Sequence, residues 1–194
     1  MIMQKTIKHF ALTLVALSTF GVANVKAQDT KTDNHTVAIT IPEVALLDIE
    51  ATTKNFSASF ASPTEAGSPI TPPSNNTDLW LNYSSIVTPS GEADPSRKVS
   101  VKASAVIPGV NVNVTAATAT ATGAGTMGTP VGSAVTLTTA DQDLITGIGS
   151  CWTDTGVSKG HQLTYAIGLT SAGTYGSLVS GTTTLTVTYT LSDN

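Results

Sequence analysis

The chain has 194 residues, of which 40% are hydrophobic and only 11% are charged. Its single cysteine, Cys151, excludes an intrachain disulfide. The excess of 13 acidic over 9 basic side chains disfavours nucleic acids and anionic membranes as partners. Threonine, serine, glycine, alanine and valine are abundant, which favours sheets and turns over helices.

Residues 1–27 have the three-part order of a secretory signal. Lys5 and Lys8 come first, an apolar run over residues 10–22 follows, and small residues precede the expected cleavage site. The apolar run is shorter than the roughly 20 residues that a membrane-spanning helix needs. We expect the chain to be exported and to start near Gln28 after cleavage. Six basic side chains then remain against thirteen acidic ones, a formal charge of about −7.

Polar and apolar residues alternate at short intervals along the rest of the chain, the pattern of half-buried strands. The predicted strands are residues 35–41, 44–50, 55–60, 79–87, 98–105, 110–114, 133–139, 162–169 and 182–191. In residues 55–60 the alternation predicts that Phe56, Ala58 and Phe60 face the core. Because a Pro-Gly turn separates residues 98–105 from residues 110–114, these two strands are expected to form a hairpin.

Three connections lack this alternation. Residues 62–77 are rich in proline and are predicted to be a surface loop. Residues 116–132 are a low-complexity tract with little to bury, which predicts a mobile loop or a weak edge strand. Residues 140–160 are predicted to be irregular. No segment predicts a convincing helix.

The predicted fold is therefore all-β. Residues 43–194 are expected to form one immunoglobulin-like β-sandwich with antiparallel Greek-key strands, preceded by an N-terminal extension over residues 28–42 that is a possible donor strand. The number of residues suits one domain with a substantial core.

Acidic residues provide the only hint of a metal site. Asp141, Asp143 and Asp154 could offer oxygen ligands to calcium, but the glycine and terminal glutamate of a known calcium loop are missing. His35 and His161 are too few and too far apart for zinc. No catalytic motif or cofactor fingerprint is present. We expect no catalytic residue, no cofactor and no metal, and therefore not an enzyme.

Two neighbouring side chains suggest other roles. Cys151 is expected to be a partly buried small hydrophobe, with an intermolecular disulfide as the alternative. Trp152 is expected to be an anchor at the core or its rim, yet its glycine-rich surroundings make it a better candidate for ligand contact than Trp80.

Both ends of the chain after the signal resemble known pilin subunits. The sequence Thr-Val-Ala-Ile-Thr-Ile-Pro-Glu-Val-Ala-Leu-Leu at residues 36–47 is similar to the opening of subunits assembled by periplasmic chaperones and outer-membrane ushers, and most similar to the colonisation-factor type of major pilin. Residues 172–176, Ala-Gly-Thr-Tyr-Gly, and the last alternating segment with Tyr189 resemble the closing strands of that family and of spore-coat-U-like secreted subunits. Gly181 lies at a distance from the end that is frequent in such subunits.

The resemblance implies a sandwich that lacks one strand and receives it from a neighbour. Val37, Ile39 and Ile41 would form the donor stripe, and Leu185, Val187 and Tyr189 the acceptor wall. The expected function is then an exported bacterial subunit of a fimbria or surface filament that reaches the cell surface through the periplasm. Its expected partners are copies of itself, a chaperone, an usher and, in addition, a host or glycan receptor.

Two alternatives remain open at this stage. The segment 35–41 could pair within its own domain, as first strands usually do. The protein could also be a monomeric surface or periplasmic binding module, adhesin or glycan-binding, with residues 62–77 and the loop around Trp152 forming its site.

Overall fold

The computed structural model describes residues 31–194, so the predicted signal segment 1–27 lies outside the described residues. The chain divides into two units, residues 1–40 and residues 41–194. The described part of the first unit contains no strand, and residues 32–43 as a whole have no regular secondary structure. The strand predicted at residues 35–41 is therefore absent, because an alternating segment becomes a strand only when a partner completes its hydrogen-bond ladder.

Residues 31–194 contain nine strands and one short 3-10 helix. The elements in chain order are β1 Val44–Glu50, β2 Asn76–Ile86, β3 Arg97–Ala103, β4 Val110–Ala116, β5 Ala124–Pro130, β6 Val135–Thr136, β7 Gln142–Trp152, β8 His161–Leu169, the 3-10 helix Ala172–Ser177 and β9 Val187–Asp193. No helix in this part of the chain is long and apolar enough to cross a bilayer.

All strand pairs are antiparallel, and they form two layers that share β2. The hydrogen-bonded order is β6-β4-β8-β2-β7-β3-β9, with β1 on the other edge of β2 and β5 on the other edge of β7. The first half of β2 pairs with β8, whereas Ser84 and Ser85 pair with the end of β7. A strand that changes partner in this way forms a corner between two packed sheets. The predicted all-β sandwich of antiparallel strands is confirmed.

The core lies between the layers β1-β2-β8-β4-β6 and β5-β7-β3-β9. Its fully buried aliphatic side chains come from the central strands and include Leu81, Val99, Val101, Val114, Leu144, Ile145, Ile148 and Leu163. Alternation along these strands directs one set of side chains inward, and burial of each set removes apolar surface from water.

Two predictions, a strand over residues 55–60 and a hairpin, are wrong. The segment 55–60 is not a strand: Phe56 is 37% exposed, Ala58 is exposed and Phe60 is half-buried. The expected hairpin between β3 and β4 does not form, because β3 pairs with β7 and β9 while β4 pairs with β8 and β6. These strands lie in opposite layers, so the turn between them crosses the sandwich.

Two segments without predicted regular strands, residues 140–160 and residues 116–132, each contain a strand. Most of residues 140–160 is the central strand β7, whose alternation is broken by a bulge at Gly147, where φ is +68°. The low-complexity tract, residues 116–132, contains the edge strand β5. Of the two expectations for this tract, a mobile loop or a weak edge strand, the second is the one observed. Its small residues let it lie close to β7: a Cβ on Gly125 would come within 2.2 Å of the Ser150 carbonyl oxygen.

One buried cation joins four strands at one end of the sandwich. The side chain of Arg97, at the start of β3, is only 2% exposed. Its guanidinium donates through Nε to Asp193 of β9 at 2.9 Å and through Nη2 to Glu43, just before β1. Its Nη1 donates to the carbonyl oxygen of Val44 and to the end of β2, at 3.1 Å to both Ser85 Oγ and the Ile86 carbonyl oxygen. This cluster, the Arg97 clamp, fixes the ends of β1, β2 and β9 to β3.

We expect Arg97→Leu to lower the free energy of unfolding by about 2–4 kcal/mol, because it removes charge-assisted hydrogen bonds and leaves buried acceptors unpaired. The loss should be smaller than for a fully buried pair, since Glu43 and Asp193 are half exposed. Urea denaturation measures it. Lys98→Leu is the matched control: it removes the neighbouring cation, whose ion pair with Asp143 lies at the surface, and should cost less than about 1 kcal/mol. Equal losses for the two variants would contradict a structural role for the clamp.

Candidate functional site: the cleft between β1 and β9

Two edge strands of the sandwich face each other across one open side. β1 pairs only with β2, and β9 pairs only with β3. The two strands approach each other without exchanging ladder hydrogen bonds within the described chain. Each therefore presents a row of backbone N–H and C=O groups that no strand of residues 31–194 satisfies, the property that makes a sheet edge receptive to another strand.

The core is incompletely covered along this side. The side chains of β1 and β9 that pack against the core are only half-buried, in contrast to the fully buried residues of β2, β3 and β8. These half-buried residues are Leu47, Ile49, Val187, Tyr189 and Leu191, and together they define what we call the cleft. The outward residues of β9, such as Thr188 and Thr190, are exposed.

The predicted acceptor residues take different places along one wall of the cleft. Val187 and Tyr189 lie in β9 with their side chains toward the core. Leu185 lies two residues before β9, because the alternating segment that starts at Thr182 becomes a strand only at Val187. The Leu185 side chain lines an apolar cavity of about 240 Å³ between the end of β3 and the start of β4.

The two ends of the cleft differ. At one end the Arg97 clamp ties Glu43 and Val44 to Asp193, so β1 and β9 are joined there through a side chain. The other end, beyond Glu50 and before Val187, has no such bridge in the described residues. The cleft is thus closed at the start of β1 and open at its end.

The predicted donor residues are exposed. Val37 is 67%, Ile39 82% and Ile41 72% exposed, although all three are large aliphatic side chains. Alternation places them on one face of an extended segment, with Ala38 and Thr40 on the other. Such a stripe of exposed aliphatics is unfavourable in water and suits burial against another surface.

Trp152 lies close to the cleft, because it lines the same groove as the cleft residue Leu47. It ends β7, pairs with Ser84 of β2, and is 49% exposed. With the exposed Leu46 and with Asp154 it lines a shallow groove of about 410 Å³. The proline-rich segment 62–77 contributes no side chain to this groove, so the two loops expected to share a binding site are separate.

The three aspartates considered for calcium are held by lysines instead. Asp141 pairs with Lys102 at 2.9 Å, Asp143 with Lys98 at 3.1 Å and Asp154 with Lys159 at 3.0 Å; these ion pairs are at the surface. Hydrogen bonding to Lys159 lowers the pKa of Asp154. Within residues 31–194 no three metal-binding side chains come together.

Cys151 is buried and unpaired, in agreement with the expected small hydrophobe. Burial raises the pKa of its thiol to about 11. At neutral pH the thiol is therefore protonated, and a protonated buried thiol is a poor nucleophile. The Cys151 side chain therefore serves as a packing residue of the core.

Two buried polar side chains, Tyr83 and His161, contact each other and join separate parts of the chain by hydrogen bonds. The Tyr83 hydroxyl lies 2.7 Å from His161 Nε2 and donates to the carbonyl oxygen of Met127 in β5. His161 Nδ1 donates to the Ala117 carbonyl oxygen at 2.8 Å. The His161 ring is completely buried, and desolvation lowers its pKa below 6.5 although its backbone hydrogen bonds favour the charged form.

Sequence reasoning missed two parts of this site. No role was predicted for Arg97, although it is the sole arginine in a chain with few charges. A single arginine followed by an alternating strand gives a weak signal for a buried clamp. Leu47 and Ile49, the second wall of the cleft, belong to a strand that was predicted, but their partner across the open side could not be deduced from alternation.

Comparison of the chain with protein-family models, with curated proteins and with solved structures finds no match.

We expect the buried His161 to make stability depend on pH. Because its folded-state pKa lies below 6.5, the unfolded chain gains a proton that the folded chain does not as the pH falls through 6.5. The contribution is complete above about pH 7 and decreases toward the folded-state pKa, by at most about 1.4 kcal/mol per pH unit. Melting temperatures of wild type and His161→Gln between pH 7 and 5 measure this slope, which should be smaller in the variant. His35→Gln, at an exposed position, should keep the wild-type slope; if both variants keep it, His161 is not its source.

Proposed function

We propose that this protein is an exported bacterial structural subunit that polymerises into a fimbria or similar surface filament by donor-strand exchange. In this proposal the segment containing Val37, Ile39 and Ile41 of one copy inserts into the cleft of the next. The subunit would pass through the periplasm, where a chaperone and an outer-membrane usher would handle it. It would have no catalytic role.

The observation that supports this proposal most is the incomplete cover of the core between two unpaired strand edges. A strand of another copy could pair with the free edge of β1 or of β9 and cover Leu47, Ile49 and Tyr189 with its own side chains. A second copy is the occupant that the chain itself suggests, because every copy carries an unpaired segment with matching alternation. The signal-like residues 1–27 support export.

The gains and the ordering cost of donor-strand insertion are of similar magnitude. Burial of Val37, Ile39 and Ile41 would contribute about 1.5–3 kcal/mol for each side chain, and each new ladder hydrogen bond would add about 1 kcal/mol. The ordering of residues 32–41 opposes these gains by about 1–2 kcal/mol per residue. The cleft residues already lie in formed strands, so little of that cost falls on the acceptor.

Two substitutions on opposite faces of the donor segment test the proposal. Ile39→Asp places a charge in the stripe that would be buried, whereas Thr40→Asp places the same charge on the opposite face. Both positions are exposed in the subunit, so neither change should alter its folding. Wild type and Thr40→Asp should form a ladder of high-mass bands that resists SDS until heating, and Ile39→Asp should run as a monomer.

The measurement is gel electrophoresis of heated and unheated samples of the chain from residue 28 onward. A shortened chain that starts at Glu43 serves as the negative control. If wild type itself runs only as a monomer at high concentration, or if Ile39→Asp polymerises as well as Thr40→Asp, the proposal is wrong.

A monomeric binding module is the second candidate, and the groove beside Trp152 favours it. A half-exposed indole can stack on the apolar face of a sugar ring, and the carboxylates of Asp48 and Asp154 can accept hydrogen bonds from its hydroxyls. Lys54 lowers the pKa of Asp48 by a hydrogen bond, and Lys159 acts in the same way on Asp154, so both carboxylates are ionised at neutral pH.

Glycan-array binding of wild type and Trp152→Ala tests this second candidate. Because Trp152 is half exposed at the end of a strand, the variant should fold. Binding to a defined set of sugars that is lost in Trp152→Ala and kept in Trp80→Phe would support a glycan site. Binding that is absent from wild type, or equal in both variants, would contradict it.

A further inference from the structure

The chain after β1 contacts the core through one aromatic ring without being part of the sheet. Residues 52–60 lie in no strand and form no backbone-to-backbone hydrogen bond with the described residues. Phe56 nevertheless keeps a specific contact: its ring packs edge-on against Tyr165 of β8, with ring centroids 5.3 Å apart at 62°. The ring is held by a side-chain contact rather than by a ladder.

Tyr165 connects Phe56 to the acceptor wall. Its side chain is buried in the core, and its hydroxyl lies 2.6 Å from the hydroxyl of Tyr189 in β9. Burial raises the pKa of both tyrosines, so each hydroxyl stays protonated and the pair stays neutral. Phe56 therefore packs on the side chain that forms the base of the cleft beside Tyr189.

The position of Phe56 along the cleft differs from that of the clamp. Phe56 packs on Tyr165, whose hydroxyl contacts Tyr189, and Tyr189 lies four residues before Asp193, the clamp residue of β9. One end of the cleft is thus closed by a buried ion cluster with many hydrogen bonds, whereas the part beside Tyr189 is covered by a ring that is 37% exposed. Displacing the Phe56 ring therefore breaks far fewer contacts than opening the Arg97 clamp would.

We infer that Phe56 is a displaceable cover of the cleft, which shields Tyr165 and Tyr189 in the free subunit and moves aside when a strand of another copy enters. This inference rests on the proposed function, since it names a control on the same cleft. Phe56 takes part of the apolar surface that an incoming donor side chain would use, and so it competes with the donor. Because of the ring, the free subunit exposes less apolar surface. Insertion of a donor strand is also slower than it would be without the ring.

A peptide-insertion experiment separates this inference from the proposed function. The acceptor is the chain from residue 28 onward with Ile39→Asp, so that it cannot polymerise, and the probe is a fluorescent peptide with the sequence of residues 31–43. Association is followed by fluorescence anisotropy. Phe56→Ala should raise the association rate about two- to ten-fold, the factor that corresponds to the energy of one edge-to-face aromatic pair.

Phe60→Ala is the matched control, because Phe60 belongs to the same segment and forms no ring contact with Tyr165 among the described residues. It should leave the rate within about two-fold of the parent. Phe56→Leu, which keeps apolar bulk but loses the edge-to-face pair, should give an intermediate rate and serves if Phe56→Ala fails to fold. Melting curves of each variant establish folding.

The outcomes are distinct. Faster insertion in Phe56→Ala and Phe56→Leu than in Phe60→Ala supports the cover. Peptide binding at an equal or lower rate in the Phe56 variants overturns the cover and leaves donor-strand exchange intact. If the peptide binds neither the parent nor any variant, donor-strand exchange itself fails and the cover fails with it.

Discussion

A guanidinium group in a protein interior must find acceptors for its donors, and this requirement organises the sandwich around Arg97. Five acceptor groups from three neighbouring strand ends meet it: two carboxylates, two backbone carbonyls and a hydroxyl. The loss of hydration would otherwise make the position costly. The clamp fixes where β1 begins and where β9 ends, and thereby sets which end of the cleft is closed.

The other end of the cleft, beyond Glu50 and before Val187, has no bridge like the Arg97 clamp in the described residues. A sandwich normally hides both inner faces, but here the inward residues of β1 and β9 are half-buried although they contact a fully buried centre. A closed cleft end, an open cleft end and an unpaired alternating segment in one chain are the features on which the proposed assembly between copies rests. In that proposal the ring of Phe56 would shield the cleft of a subunit before it assembles.

Alternation predicted most of the fold correctly where strands are regular and half-buried. β1, β2, β3, β4 and β8 were found within a few residues, and two of the three predicted acceptor residues lie in the observed last strand, β9. β7 was missed because two register shifts interrupt its two-residue period, one at Gly147 and one at Leu144, so that the neighbours Leu144 and Ile145 are both buried. Residues 55–60 show the reverse error, because their alternation is real but no neighbouring strand completes the ladder.

The pairing of strands could not be predicted from the local alternation of polar and apolar residues. A Pro-Gly turn between β3 and β4 predicts a hairpin, yet both strands find better partners across and along the sheets. The Arg97 clamp, the cleft and the Phe56 contact all join residues that are far apart in sequence, so no window of the sequence contains them. The candidate site was therefore predictable as two stripes of residues and not as a cavity with two different ends.

The geometry of β1 has a mechanical consequence. Tension that enters through Ile41 reaches the domain at Glu43 and Val44 and, when directed along the strand, acts parallel to β1. The seven register pairs between β1 and β2 have hydrogen bonds perpendicular to that axis, so they are loaded together in shear rather than opened one after another. The ion pair of Glu43 with Arg97 takes up load at the same point. Resistance to pulling along this axis is therefore set by the β1–β2 ladder and the Arg97 clamp, and not by the total stability of the domain.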